Sequence, residues 1–380
     1  MTRDGSRPAL GAWLIAVVAG GLLFAPAIAY VVGHTDEPVE NKPRAAFPGR
    51  DSGWAWVTEL SRAVNDRLPL RSSAVRADGW IDEHVFEEDP AYGGAVTPEV
   101  IRGIDGYLFL NEDFQLACLT DASPEQAVAA FAAVAAALEA SGRTTVVGIA
   151  PNKSTVLSDM LPLNPPGERC HDEFTDRLWA AVEAATIPQY VDVLAALEAQ
   201  RAETGRPLYH RLDTHWNLEG ALVATRMIID RLDPGLWTES EVLRAGEVEQ
   251  VGDLSVMQGN PRSESVPAIR ISRPDVVPVS EPGTTSDRRF LNSAPAGRLI
   301  PGRTVIVLDS FGLAQLPLLV PYFEDLTVVE FDALSGQQFI PYLTQADNVI
   351  LLTVERFLER RMTEHFDAAF LAALTQALES

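Results

Sequence analysis

Two short segments hold residues able to perform acyl chemistry. The first is Asp213-Thr214-His215-Trp216-Asn217, and the second is Asp309-Ser310-Phe311-Gly312, directly after the run TVIVL. Asp213 and His215 are two residues apart, so on an extended segment both side chains face one side. A serine at the carboxyl end of a buried strand, where the next helix begins, stands in the usual ligand crevice of open α/β sheets. Its own amide and its neighbours', helped by the helix N-terminus, can hold a developing oxyanion. Ser310 as nucleophile, His215 as base and Asp213 as the group that orients the imidazole would complete an acyl-transfer set.

Each of these residues also has a plainer explanation. A serine before a helix is commonly an N-cap. A histidine between apolar residues is commonly a satisfied structural group. Asp213 and His215 could ligate a metal, but no second pair of ligands lies nearby in the sequence, so neither a metal nor a cofactor is expected. Supporting positions are Asp309, Asn152, Lys153 and Trp216. Lys153 is one of only two lysines and follows a buried run; it either orients a carboxylate or sugar, or forms a structural ion pair. Asn152 can offer a hydrogen bond in the cleft. Trp216 either stacks on a sugar ring or packs in the core. Asn217 is suited to cap the following helix.

The elements that must position these residues read as an α/β fold with a mostly parallel sheet flanked by helices. TTVVGIAP near 144–151, the run into Asp309, LTVVEF at 326–331 and NVILLTV at 348–354 are apolar, β-branched stretches of buried-strand type. YVDV at 190–193 is a shorter strand. Helices are expected within 54–80, where Pro69 stops the run, over 123–141 behind a Ser123 cap with Pro124 at the first position, over 172–186, from 194 to about 203, over 218–232, after Ser310 toward Tyr322, around 355–360 and at the C-terminus. Residues 84–115 read as short strands and turns, and 235–300 as a β-rich insertion or lid. Strands alternating with helices imply a parallel sheet covered on both faces.

The 380 residues include 53 acidic and 30 basic side chains, a formal net charge of −23, which argues against a nucleic-acid partner. Residues 9–33 carry no charge, and about 20 such residues span a bilayer core. Arg3 and Arg7 precede the run and acids follow it, which places the N-terminus in the cytoplasm. Its length favours an uncleaved anchor over a cleaved signal peptide, and either would export the rest. The expected organisation is a cytoplasmic tip and membrane anchor at 1–33, an extracytoplasmic linker at 34–53 and one catalytic domain over 54–380. In an exported body Cys118 and Cys170 can pair, adding roughly 2–4 kcal/mol; the alternative is two separate buried thiols.

Several blocks in order carry a resemblance. They are Glu40-Asn41-Lys42 with Phe47-Pro48, Asn65-Asp66-Arg67-Leu68-Pro69-Leu70-Arg71, Gly103 to Phe109 (GIDGYLF), Pro151-Asn152-Lys153-Ser154-Thr155, Asp213-Thr214-His215-Trp216-Asn217, Gly252-Asp253-Leu254-Ser255 and Asp309-Ser310-Phe311. Together they resemble the alginate O-acetyltransferase family of the SGNH-hydrolase superfamily over roughly residues 38–360. The resemblance implies an SGNH-like fold in which the Asp-x-His segment precedes the serine. It also implies a Ser310–His215–Asp213 triad, acetyl transfer to a cell-envelope or exported polysaccharide, and a membrane-bound O-acyltransferase as the supplier of acetyl groups. Leu308 stands where the family usually has glycine. An esterase using the same triad and a non-catalytic envelope scaffold are the competing expectations. Acetyl-serine discharge to water or to a sugar separates the first of these from the transferase.

Overall fold

A computed structural model of the chain describes residues 99–119, 123–279 and 287–379, with a few positions before residue 99. The run 9–33, the linker 34–53, the helix expected within 54–80 and the blocks before residue 72 fall largely outside the described residues. Among the described residues no helix is long and apolar enough to cross a membrane. The chain divides into two compact units, residues 95–254 with 263–380, and residues 1–94 with 255–262. In the smaller unit Ser255 Oγ accepts from the Arg262 amide at 3.0 Å and closes a turn.

The larger unit begins with an antiparallel pair, β1 (Val100–Arg102) and β2 (Leu108–Leu110). Next come β3 (Thr144–Ala150), β4 (Tyr190–Val191), β5 (Glu241–Val251), β6 (Ser263–Ser272), β7 (Val277–Pro278), β8 (Asp287–Ser293), β9 (Ile300–Leu308), β10 (Phe323–Glu330) and β11 (Asn348–Val354). The main sheet runs β4-β3-β11-β9-β10-β8-β7. From β4 to β10 every neighbour is parallel, while β8 and β7 join antiparallel at one edge. β5 and β6 form a separate antiparallel pair. The 235–300 segment is therefore β-rich as expected, but its last strands extend the main sheet instead of standing apart.

Among the described residues the α-helices of seven residues or more are α1 (Glu112–Leu119), α2 (Pro124–Ala140), α3 (Glu168–Ala185), α4 (Val193–Thr204), α5 (Leu218–Leu232), α6 (Ser310–Leu319), α7 (Leu358–Glu364) and α8 (Ala368–Leu378). Ser123 caps α2 as expected. β1 and β2 are short strands of the kind expected over 84–115, but α1 takes over the end of that stretch: Phe114 and Asp113 are buried, and Cys118 is bonded to Cys170 of α3. Tertiary anchoring of this kind outweighs weak local propensity.

Every residue of β11 is buried. Alternation along the central strands divides the core between two faces. Ile306, Leu308, Ile350 and Leu352 join the buried residues of α4, α5 and α6, such as Leu197, Ile228 and Leu319. Val305, Val307, Val349 and Leu351 join Phe131, Leu138, Leu178 and Phe370 of α2, α3 and α8. Covering both faces of a parallel sheet leaves its carboxyl edge as the place where loops and side chains can converge.

Candidate active site

Ser310 opens α6 immediately after β9 and is solvent-exposed. The buried Asp309 before it caps the helix. Its Oδ1 accepts from the Phe311 amide at 3.0 Å, and its Oδ2 accepts from the Val354 amide at the end of β11 at 2.7 Å. Arg361 of α7 donates to the same Oδ2 at 2.5 Å and to Thr353 Oγ1 at 2.7 Å. Asp309 thus ties the ends of two strands to a helix and supports the junction at Ser310. The Ser310 and Gly312 amides lie in the first turn of α6, where backbone donors lack intrahelical acceptors. Leu308 is fully buried, and a Cβ on Gly312 would lie 2.6 Å from the Leu308 Cβ. The missing side chain of Gly312 makes room for the leucine.

The 208–217 segment is not the extended strand end that its spacing suggested. Its only ladder contact is a bridge between Tyr209 and Trp216. Asp213 Oδ1 accepts from the His215 amide at 3.0 Å and lies 2.7 Å from His215 Nδ1. A carboxylate that binds the backbone two residues ahead favours a turn over extension. His215 Nε2 is buried and has no hydrogen-bond partner among the described residues. The imidazole packs against Phe311, ring centroids 4.9 Å apart. Trp216 is fully buried, packs edge-on against the same ring at 5.3 Å and donates from Nε1 to the Phe311 carbonyl at 3.0 Å. The indole serves packing and docking and offers no face to a sugar. The structure therefore seats the Asp213–His215 pair on the residue next to Ser310, without a hydrogen bond between His215 Nε2 and Ser310.

Polar side chains from distant parts of the sequence fix this loop. Lys153, buried, donates from Nζ to the carbonyls of Leu108 (2.6 Å), Arg211 (3.0 Å) and Asp213 (3.1 Å). Its hydrogen-bond partners are backbone oxygens, where the sequence suggested either a carboxylate or sugar contact or a structural ion pair. Burial pushes the amine down to about 7, against the pull of Glu264, Asp213 and Asp253. Glu264 of β6 accepts from the Arg211 amide at 2.8 Å and the Leu212 amide at 2.7 Å. The Tyr209 hydroxyl donates to the Pro151 carbonyl at 2.6 Å. Asn217 caps α5, accepting from Glu219 and Gly220 amides. Asn152 turns away from the loop; its Oδ1 accepts from Arg356 Nη1 at 3.3 Å.

Asp253 is the main addition to the residues singled out in the sequence. Its Oδ1 accepts from the Thr214 amide at 2.8 Å, its amide donates to Asp213 Oδ2 at 3.1 Å, and its Oδ2 lies 3.7 Å from His215 Nδ1. A Cβ on Gly252 would meet the Leu212 carbonyl oxygen at 2.2 Å, so only glycine allows this approach. The Gly252-Asp253-Leu254 block was visible in the sequence, but without a role. Burial raises the Asp213 carboxyl, yet the bonds from the His215 side chain and from backbone amides outweigh it and hold the group well below the usual carboxylate range. Asp253 goes the other way, raised by burial and then by the Asp213 charge. Asp213, His215 and Asp253 each place one ligand-type atom within 4.8 Å of the others, so the fold brings in the third ligand that the sequence lacked. The short Asp213–His215 bond engages Nδ1 within this network, so the trio reads as a hydrogen-bonded orienting set.

The family described as SGNH hydrolase-like domain, acetyltransferase AlgX matches residues 100–296. The chain belongs to this family. The matched stretch includes Asp213, His215 and Asp253; Ser310 lies beyond it. Among curated relatives, the probable alginate O-acetylase AlgJ of Pseudomonas syringae pv. tomato is 25% identical over 173 residues, 46% of this chain and 41% of that protein. Its counterpart in Pseudomonas putida is 27% identical over 163 residues, 43% of this chain and 40% of that protein. The chain thus matches less than half the length of these relatives. Among solved structures, the O-acetyltransferase domain of Pseudomonas putida AlgJ aligns with 74% of this chain and 99% of its own, at 18% identity and TM-score 0.49. Bacillus cereus PatB1 aligns with 68% of this chain and 97% of its own, at 14% identity and TM-score 0.47.

Proposed function

We propose that this AlgX-family chain is an extracytoplasmic O-acetyltransferase that moves an acetyl group through Ser310, His215 and Asp213 to hydroxyls of a cell-envelope or exported polysaccharide. The observation that carries the reading is the seating of the Asp213–His215 pair on Phe311, beside an exposed Ser310 at a strand–helix junction. The names of the AlgJ relatives support the acetylation chemistry and the glycan class.

The steps follow from these groups. Ser310 Oγ attacks the acetyl ester carbonyl while His215 Nε2 takes its proton, and the tetrahedral oxyanion rests on amides at the start of α6. Collapse breaks the ester bond, and the departing alcohol takes the proton back from His215. A sugar hydroxyl then attacks acetyl-Ser310, His215 again accepts the proton, and the sugar ester leaves with Ser310 Oγ reprotonated. Asp213 fixes the imidazole so that Nδ1 carries a proton and Nε2 is free to act. Catalytic hydrogen bonds are often open in ligand-free enzymes and tighten with substrate. The uncharged run 9–33 supports a single-pass anchor with the body outside the membrane, next to a membrane-bound O-acyltransferase as acetyl supplier. Protease added to intact cells should then digest the body, and full protection would contradict this location.

The exposure of Ser310 to solvent favours one competing reading, a glycan acetylesterase. To separate the two, the chain is loaded with a chromogenic acetyl ester and the decay of acetyl-enzyme is followed with and without neutral and uronic-acid oligosaccharides. A transferase discharges at least tenfold faster to a glycan, with acetyl found on the sugar. Equal discharge to water identifies an esterase, and failure to turn over any acetyl ester removes the catalytic reading.

A further inference from the structure

At the carboxyl edge of the sheet, between α1, α3 and the start of α7, lies a cavity of about 210 Å³. The cavity lies near the strand–helix junction that carries the nucleophile. Val354 of β11 is level with Ala150 of β3, and its amide donates to Oδ2 of Asp309, the residue before Ser310, at 2.7 Å. Arg356 and Asn152, which line the cavity, each stand two residues past these paired positions. The Arg356 guanidinium also lies 5.4 Å over the Phe311 ring, the same ring that seats His215.

Buried polar groups form one side of this cavity, and their geometry is fixed. Arg356 Nη1 donates to Asp113 Oδ1 at 3.4 Å and to Asn152 Oδ1 at 3.3 Å. Asp113 Oδ2 accepts from Ser154 Oγ at 2.9 Å, and Ser154 Oγ meets His171 Nε2 at 3.1 Å. The Arg356 side chain is 5% exposed, and its Nε is buried without a hydrogen-bond partner among the described residues. A buried donor left unpaired is costly, so its persistence calls for an explanation. Phe174 and Ala117 add apolar surface from α3 and α1. The lining holds two arginines and two carboxylates, so its formal charge sums to zero.

We infer that this cavity is a subsite for a single neutral sugar ring, which it holds beside Ser310. The inference rests on the acetyl-transfer reading only for its purpose, the positioning of the acceptor. A hydroxylated ring supplies an acceptor for the unpaired Arg356 donor and donors for the spare lone pairs of Asp113 and Asn152, while its C–H face lies on Phe174 and Ala117. An acyl chain would leave those polar groups unmet. A uronate would bring its carboxylate to Asp113. Pockets for drug-sized ligands span roughly 300–1,000 Å³, so this one suits one ring and not an oligosaccharide. The Cys118–Cys170 disulfide holds the two helical walls together, since Cys118 follows Ala117 and Cys170 lies one turn before Phe174.

Saturation-transfer NMR on the full-length chain tests this with methyl glucoside, methyl mannoside and N-acetylglucosamine as probes, and with glucuronate and acetate as charged controls. At least one neutral sugar should bind, at least fivefold more strongly than glucuronate, and the signal should be lost in Ala117→Trp and in Thr175→Trp, which fill the cavity from opposite walls. In the unaltered chain the bound sugar should slow amide exchange in α1 and α3, which keeps the test open if either variant fails to fold. Binding that survives both substitutions, binding that leaves α1 and α3 exchange unchanged, or a preference for glucuronate would overturn the subsite, as would no binding by any neutral probe. These readouts need no acetyl transfer. Sugar binding without acetyl-Ser310 keeps the subsite and removes the proposed function; acetyl-Ser310 without sugar binding does the reverse.

Discussion

The two halves of the candidate site are built in different ways. The Ser310 half is regular: a buried strand, a strand–helix junction and one carboxylate, Asp309, that joins the ends of β9, β11 and α7. The His215 half is irregular: a loop whose shape comes from Lys153, Asp253 and Glu264, which lie 62 residues before to 49 residues after His215 in the sequence. Secondary structure places Ser310, whereas buried side chains place His215. Damage to the first half should therefore appear as lost stability, and damage to the second as lost turnover in a protein that stays folded.

The largest effect is expected in the second half. Asp213→Asn leaves the imidazole without its orienting carboxylate and should reduce kcat by about 10⁴-fold while the far-ultraviolet spectrum stays unchanged; near-normal turnover would remove Asp213 from the catalytic set. In the first half, Arg361→Met strands the buried Asp309 carboxylate and should lower unfolding free energy by about 3–5 kcal/mol, measured by urea denaturation. The folded fraction should keep its turnover, and a larger loss of turnover than of stability would blur the contrast between the halves. Lys153→Met should loosen the loop and reduce kcat on the order of 10²-fold, with KM for a small ester little changed.

The pH dependence of Lys153 sharpens the same contrast. Its folded value of about 7 lies below the roughly 10.4 of a free lysine. The unfolded chain therefore binds the extra proton between these values, and the cost of the buried charge, complete below pH 7, disappears as pH rises through that window. Turnover follows the opposite course: a neutral amine keeps only two donors for three carbonyls, so activity should fall above pH 7. Lys153→Met should lack both trends, and an alkaline profile identical to that of the unaltered chain would rule out the clamp.

The same division explains what could be read from the sequence. The strands into Ser310, at 144–150 and at 348–354, were legible because residues buried on both faces leave unbroken apolar runs. The caps at Ser123 and Asn217 were legible because their chemistry is local. The turn at Asp213 was not, because spacing reports periodicity and not a side chain bonding its own backbone. Asp253 was visible only as part of a block, and the links from Glu264 to Leu212 or from Arg361 to Asp309 leave no local trace. α1 was hidden because its support is a disulfide and a buried phenylalanine. The antiparallel β8 was hidden because its partner, β10, comes after it in the chain.

The central claim is that Ser310 carries the acetyl group. Incubation of the chain with a chromogenic acetyl ester, early acid quench and mass spectrometry of the Ser310 peptide test it most directly. The account predicts one acetyl group on that peptide in the unaltered chain, none in Ser310→Ala, and slow accumulation in His215→Ala. Ester turnover that persists unchanged in Ser310→Ala, or an acetyl group found on another residue at the same rate, would contradict it.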